Sequence, residues 1–397
     1  MERSVTVAAT PPVSTLTIPF GRPQVGDAEL TVLADVLASG VLTQGPLVRQ
    51  FEDEFAAFTN APHALATSSC MGALHLAYLA LGLRPGDEVI VPAQTHVATA
   101  MAVEVCGGRC VFVDVDAETG NIDLARVQDA ITPRTRGITL VHFLGLPVDM
   151  RALRTIADAH HLFVVEDCAL ALGAICDGVH VGLWGDAGAF SFYPAKHIST
   201  GEGGMLTSRR ADVAKLVRAQ RAFGVDRSGP GVRPDGVDYD VTGLGLNYRM
   251  SELAGALGVC QMTRLPGILA ARAANFAQLT GELESIAGIT LMRSSHDHLQ
   301  SSWYCLSFFM PGDLADRRDE LAVFLRARGI GSSVYYPRPV PQMSFFRERY
   351  AHDAQAFPNA ARISQQSIAL PVGPHLGQDQ MAIIAQGVRD GVAALRR

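Results

Sequence analysis

The sequence predicts an α/β protein in two parts: a three-layer large domain built on a mostly parallel sheet, and a smaller C-terminal α+β domain. Three observations carry this expectation. Between about residues 60 and 210, short apolar runs alternate with longer amphipathic ones. Turn-forming residues such as Pro85-Gly86-Asp87 separate the pieces. At 397 residues, 48% hydrophobic and 18% charged, the chain can bury a substantial core and divide into two domains.

The elements follow in order. Residues 1–25 carry Glu2 and several prolines where a signal peptide needs an apolar block, and they read as an N-terminal arm. Met71 to Leu83 is an apolar helical run. EVIVPA (88–93), CVFVDV (110–115), GITLVHF (137–143), LFVVED (162–167) and GAFSFY (188–193) read as buried strands, by their length, their β-branched and aromatic content and their flanking turns. LARVQDAI (124–131) and DMRALRTIADAHH (149–161) have helical spacing between them. Strand-helix alternation of this kind implies parallel strands joined by crossover helices on both faces. A helix over 211–224 precedes a Gly/Pro-rich stretch, 226–240, that reads as a mobile loop. A helix from Ser251 to Leu265 closes the large domain, 26–265. The small domain, 266–397, mixes helices such as 317–329 with a few strands.

Composition narrows the function. No stretch of eighteen uninterrupted apolar residues occurs, so no membrane span is expected. The net charge is −6 and there is no Lys/Arg run, which argues against nucleic acid as a partner. The seven cysteines (70, 106, 110, 168, 176, 260 and 305) show no metal-binding spacing, and no metal is expected. An odd, scattered set fits unpaired thiols in a reducing cytoplasm.

Chemistry concentrates at strand ends. Asp167 closes one predicted strand and Lys196 follows another, and ligands of open α/β sheets bind outside those carboxyl ends. A pyridine cofactor needs an acid to keep its ring nitrogen protonated and an amine to form a Schiff base, and these two residues suit both roles. Taken alone they also fit a capping carboxylate and a solvated lysine. Thr67-Ser68-Ser69-Cys70 opens an apolar helix, and such an N-cap can bind phosphate through free backbone N–H groups or serve only as a cap. Ser191, just before the lysine loop, adds a second hydroxyl and favours phosphate. His96, after EVIVPA, lies where a flat side chain could stack on a ring, and equally fits an ordinary loop histidine.

Read together, these segments resemble the sugar aminotransferases of the DegT/StrS family, which share the fold type I architecture of aspartate aminotransferase. The resemblance runs from about Ile18 into the last third. It includes SGVLTQGPLVRQFEDEFAAF (39–58), SSCMGALHLA (68–77), PGDEVIVPAQTHVAT (85–99) and VFVDVDAETGNID (111–123). It continues through VEDCALALGA (165–174), GDAGAFSFYPAKHISTGEGGML (185–206) and NYRMSELAGALG (247–258), with the lysine segment and its trailing Gly201-Glu202-Gly203-Gly204 the most specific.

The resemblance implies pyridoxal 5'-phosphate as cofactor, with Lys196 forming the Schiff base and Asp167 pairing with the pyridine nitrogen. Ser69, the backbone at Cys70 and Met71, and Ser191 would hold the phosphate, and His96 would lie against the ring. Asn247 would reach the partner's phosphate site in a homodimer with shared active sites. Arg249 and Tyr336 would meet substrate. The implied reaction moves an amino group from an amino acid, glutamate first, to a keto group of a nucleotide-linked deoxysugar, with a 4-keto-6-deoxy sugar the leading expectation. Three positions depart from the family pattern: Leu170 replaces a Gln or His, Met71 a threonine, and Pro341 a histidine. Two other readings on the same scaffold are a sugar dehydratase, whose histidine in place of the aldimine lysine is absent here although His197 lies next to Lys196, and a non-catalytic, regulatory cofactor-binding protein. A nicotinamide-dependent oxidoreductase has only Gly243-Leu244-Gly245 in its favour, with Tyr248 where a third glycine is needed.

Overall fold

A computed structural model describes residues 17–226, 239–294, 296–353 and 355–397. Most of the expected N-terminal arm and most of the expected mobile stretch at 226–240 lie outside the described residues.

Seven strands form the central sheet: β1 (His63–Thr67), β2 (Glu88–Pro92), β3 (Arg109–Val113), β4 (Thr135–Val141), β5 (Phe163–Asp167), β6 (Ala187–Ser191) and β7 (Gly204–Ser208). Their order is β1-β7-β6-β5-β4-β2-β3. All run parallel except β7, which is antiparallel to both of its neighbours. The five strands legible in the sequence occupy the middle and one side of the sheet. β1 and β7 complete the other side with the alanine- and glycine-bearing segments HALAT and GMLTS, which have little intrinsic strand preference and gain it from pairing.

Side chains alternate across a strand, so Glu166 and Asp167 point to opposite faces of β5. Glu166 is fully buried. Its carboxylate accepts from His142 Nε2 at 2.9 Å, Gly182 N at 2.7 Å, Trp184 N at 2.8 Å and Gly185 N at 2.6 Å. His142 Nδ1 in turn accepts from Val148 N at 3.1 Å, which leaves its proton on Nε2 for Glu166. The thiol of Cys168 lies in the same cluster, all within 4.8 Å, but the hydrogen bonds of His142 and Glu166 already use the atoms a metal would need. The cluster is a staple that joins β5 to the 182–185 turn and to the end of β4.

The helix expected over Ser251–Leu265 is longer: it runs unbroken from Glu252 to Glu284, with Pro266 inside it. Proline removes one backbone donor. The buried stripe Leu265, Ile268, Arg272, Asn275, Leu279 and Leu283 nevertheless continues at helical spacing, and its packing outweighs the break. This helix is long and apolar enough to cross a membrane by length and composition, yet that stripe faces the protein interior. It passes straight through residues 265–266, so no change of secondary structure marks the expected domain boundary. We propose a large and a small unit joined along this helix. Beyond it, Thr290–Leu291, Leu306–Phe309 and Ser367–Leu370 form a separate antiparallel sheet. Helices Arg318–Ala327 and Gln378–Leu395 share a core with it, containing Phe308, Leu321, Leu325, Ile384 and Val388. Ile18 joins that core and is hydrogen bonded on both sides, to Gly329 and Gly331, at 2.9 and 2.8 Å.

Removing a buried acceptor leaves its donors unsatisfied. Glu166→Ala strands four donors at once and should destabilise the protein by about 3–5 kcal/mol, as breaking a buried charged network does. Urea denaturation followed by circular dichroism would measure the loss; a change below about 1 kcal/mol would show that the staple is dispensable.

Candidate active site

The helix Cys70–Ala80 begins immediately after β1. Its N-cap is Ser69, whose Oγ accepts from Gly72 N at 3.0 Å. At any helix start the first N–H groups lack helical partners, and here those of Cys70 and Met71 stand ready for an anion. The sheet register brings Ser191 towards them. Gly204 is paired with Thr67 on one side and with Ser191 on the other, so the ends of β1, β7 and β6 lie in one row. A β-carbon at Gly204 would lie 2.4 Å from Ser69 C and 2.5 Å from Cys70 N, which explains a glycine at this position. Met71 is half-buried against the core rather than offering a hydroxyl.

Asp167 is 3% exposed, and no basic side chain pairs with it within 4 Å among the described residues. Its Oδ2 accepts from Thr99 Oγ1 at 2.7 Å and its Oδ1 from Ala169 N at 3.0 Å. Thr99 is itself hydrogen bonded to Thr95 at 2.7 Å. A buried carboxylate, oriented but without a cation, suits a protonated pyridine nitrogen.

Lys196 shares this space with Asp167 and Cys70. Burial lowers its pKa from the ordinary lysine value, while Cys70 and Asp167 pull in the other direction. Burial also raises the Cys70 thiol well above its usual range, reinforced by Asp167 and opposed by Lys196. The Cys70 side chain therefore stays a thiol beside the amine. The site thus holds an amine closer to its neutral form than a surface lysine would be.

His96 caps the helix Val97–Val105, its Nδ1 accepting from Ala98 N at 3.2 Å. Its ring meets Tyr336 edge-on, with centroids 5.5 Å apart. Burial raises the Tyr336 phenol well above its usual range, with Tyr304 and Asp167 adding to the effect. The structure therefore gathers Lys196, Asp167, Cys70, His96 and Tyr336 around one space, with Ser69 and Ser191 along its edge. Leu170 is 2% exposed and packs into the core with its carbonyl accepting from Ser302 Oγ at 2.8 Å; its side chain offers no hydrogen bond. Pro341 is buried in the turn Val340–Gln342, whose Val340 N donates to Ala93 O at 2.8 Å.

Asn247 and Arg249 stand apart from this group. Asn247 is exposed, and its Oδ1 accepts from Arg249 Nε at 3.0 Å. The Arg249 guanidinium lies 5.0 Å from the centre of the exposed Phe223 ring. Between them Tyr248 faces inward, its carbonyl accepting from Ser68 N at 2.9 Å and its hydroxyl bonded to His75 Nδ1 at 3.1 Å.

The sequence did not reveal Thr95, Thr99, Tyr304 or Tyr335. Thr95 and Thr99 are four residues apart at a helix start, a spacing that hints at one face, but nothing in the sequence links them to Asp167. Tyr304 packs beside Lys196 and is hydrogen bonded to Tyr335 at 2.9 Å, and both come from the last third of the chain.

Comparison with known proteins agrees with this architecture. The model of the DegT/DnrJ/EryC1/StrS aminotransferase family matches residues 23–389. The spore coat polysaccharide biosynthesis protein SpsC of Bacillus subtilis (strain 168) is 34% identical over 377 residues, 94% of this chain and 96% of that protein. The solved structure of S. venezuelae DesV is 34% identical, covers 94% of this chain and 99% of its own, and superposes with a TM-score of 0.84. Spr1654 of Streptococcus pneumoniae, solved in a pyridoxal-phosphate form, is 26% identical, covers 95% of this chain and 99% of its own, and has a TM-score of 0.88. Matched along nearly its whole length in sequence and in fold, the chain belongs to the DegT/DnrJ/EryC1/StrS aminotransferase family and is a pyridoxal-phosphate-dependent sugar aminotransferase.

Proposed function

We propose that the chain moves an amino group from glutamate to the keto group of a nucleotide-linked deoxysugar, a 4-keto-6-deoxy sugar first, and works as a homodimer. The observation that carries this reading is the convergence of the Lys196 amine, its pKa lowered by burial, and the buried, cation-free Asp167 carboxylate beside a helix N-terminus. The amino-sugar reading draws on the aminotransferase family and on a relative named as a polysaccharide biosynthesis protein.

Each residue then has a task. The backbone N–H groups of Cys70 and Met71, with Ser69 and Ser191, hold the cofactor phosphate. His96 lies against the ring. Asp167, held by Thr99 and Ala169, keeps the ring nitrogen protonated. The bound cofactor supplies an electron sink for the substrate carbon. Lys196 would hold it through Nζ, and once freed by the amino donor that Nζ would take up the proton from the donor's α-carbon. Its lowered pKa matters here, because only the neutral amine can accept that proton. Tyr336 faces the incoming substrate from the C-terminal part of the chain. Asn247, exposed on the single chain, extends towards the partner subunit's phosphate site, and the half-buried Arg249 beside it meets substrate.

Two variants test the scheme. Lys196→Ala should lose the absorbance near ~420 nm that the bound cofactor gives with lysine, and should lose amino transfer altogether; transfer at the normal rate would sink the assignment. Thr99→Val keeps the shape but removes the hydroxyl that orients Asp167. A hydrogen bond to a charged group is worth about 1.5–3 kcal/mol, so the glutamate half-reaction should slow by roughly 10- to 100-fold with the fold intact. Stopped-flow absorbance would measure this, and an unchanged rate would remove Thr99 from the mechanism. The sugar acceptor is tested by supplying the glutamate-treated enzyme with nucleotide-linked 4-keto-6-deoxy sugars. Recovery of the ~420 nm band supports the reading, and recovery only with unrelated 2-oxo acids argues against it.

A further inference from the structure

Three side chains able to carry positive charge surround one aromatic ring. Lys196 Nζ lies 5.7 Å from the Tyr304 ring centroid, Arg272 Cζ lies 5.8 Å from it, and the His197 ring centre is also 5.8 Å away. The ring is fixed. Tyr304 is 4% exposed, its hydroxyl is bonded to that of Tyr335 at 2.9 Å, and the two rings meet edge to face at 83°. Tyr335 is held in its turn, its carbonyl accepting from Gln94 Nε2 at 2.8 Å.

Two of the three groups have settled charges. Arg272 is buried and donates to the Tyr304 carbonyl at 2.8 Å, and it has no carboxylate partner among the described residues. His197 is buried with Nε2 bonded to Ser302 O at 2.8 Å, and burial, aided by the Arg272 cation, lowers its pKa well below the ordinary histidine value. Lys196 alone must change charge as it works. When its freed amine takes a proton, a new ammonium forms beside this ring. The π face of an aromatic ring attracts a cation within about 6 Å.

We propose that Tyr304 is a positioning residue for Lys196: its locked ring seats the ammonium that forms when the freed amine takes the substrate's proton. The inference rests on the role given to Lys196 above. The other groups facing the amine are Asp167 at the end of β5, Cys70 at the start of its helix, His96 at another helix start, and His197 next in the chain. Asp167 also favours the ammonium. Tyr304 supplies a seat from the C-terminal part of the chain.

The cofactor-free protein isolates this contact. Labelling with acetic anhydride across a pH series, read by mass spectrometry of the Lys196 peptide, gives the midpoint of the amine's titration. Tyr304→Leu keeps an apolar side chain beside the lysine but removes the π face that favours the ammonium. Its midpoint should fall by about half a pH unit. Tyr304→Phe keeps the face and loses only the bond to Tyr335, and its midpoint should match that of the unaltered protein. In the loaded enzyme the Leu variant should bind cofactor yet lose its ~420 nm band to glutamate about threefold more slowly or worse. A Leu midpoint equal to the unaltered one, or a Phe midpoint shifted as far as Leu, overturns the proposal. If Tyr304→Leu fails to fold, Tyr304→Met decides by the same midpoint. An unaltered protein that forms no cofactor band would sink the functional reading instead, and the titration of the variants would still stand.

Discussion

The peptide joining Ser69 to Cys70 passes so close to Gly204 that no side chain fits between them, and this approach fixes where the active site can form. β7 is the one antiparallel strand of the sheet, inserted between β1 and β6. Because Gly204 begins that strand, the helix N-terminus after β1 and the hydroxyl at the end of β6 are drawn to either side of a single backbone atom. A bulkier residue would push β1 away and separate Ser69 from Ser191. The polar row at the strand ends thus depends on a residue with no side chain.

Buried carboxylates hold the surrounding segments to this row. Glu52 is one: its Oε1 accepts from Ala66 N at 2.8 Å and from Arg221 at 2.5 Å, and Arg221 also donates to Ala66 O at 2.6 Å. That triangle fastens β1 just before the helix start. The Arg221 carbonyl then accepts from Tyr248 N at 3.0 Å, so the Asn247–Arg249 segment hangs from the same knot. Glu252 is another, accepting from Gly45, Leu47 and Val48 at 2.7, 2.6 and 3.2 Å and so capping the helix Pro46–Thr59 from outside it. Glu166 performs the same service beneath Asp167. A buried charge is costly unless its oxygens are satisfied; Glu166 and Glu252 are satisfied largely by backbone N–H groups 16 to 207 residues away, Glu52 by one backbone N–H and the Arg221 guanidinium. Such bonds specify the chain path, because backbone donors cannot move without the backbone.

That distance in sequence also separates what could be read from the sequence and what could not. The strands around Asp167 and Lys196 were legible because apolar runs of five to seven residues betray burial on both faces. β1 and β7 were not, since HALAT and GMLTS owe their conformation to each other. The helix starting at Ser251 was placed correctly at its capped beginning, but it does not end at Leu265, because the buried stripe continues past Pro266. Within the site, Lys196, Asp167, Ser69 and His96 occupy strand ends and helix starts, positions that sequence patterns mark. Thr99 and Tyr304 act on them across 68 and 108 residues of chain, and only the folded molecule brings such pairs into contact.

The hydroxyl pair below Asp167 shows why such contacts matter to the chemistry. Thr99 has a single proton and gives it to Asp167 Oδ2, so in its bond with Thr95 it must be the acceptor and Thr95 the donor. The chain of donors therefore points one way, towards the carboxylate, and each bond polarises the next. With Ala169 N on the other oxygen, the carboxyl group is fixed against rotation before any ligand arrives. Leu170, three residues on, is buried in the core and its side chain adds no further hydrogen bond. In the proposed scheme the control of a bound pyridine ring falls on this one oriented carboxylate. Electrostatic groups that are already aligned need no reorganisation when charge develops, which is where their catalytic advantage arises.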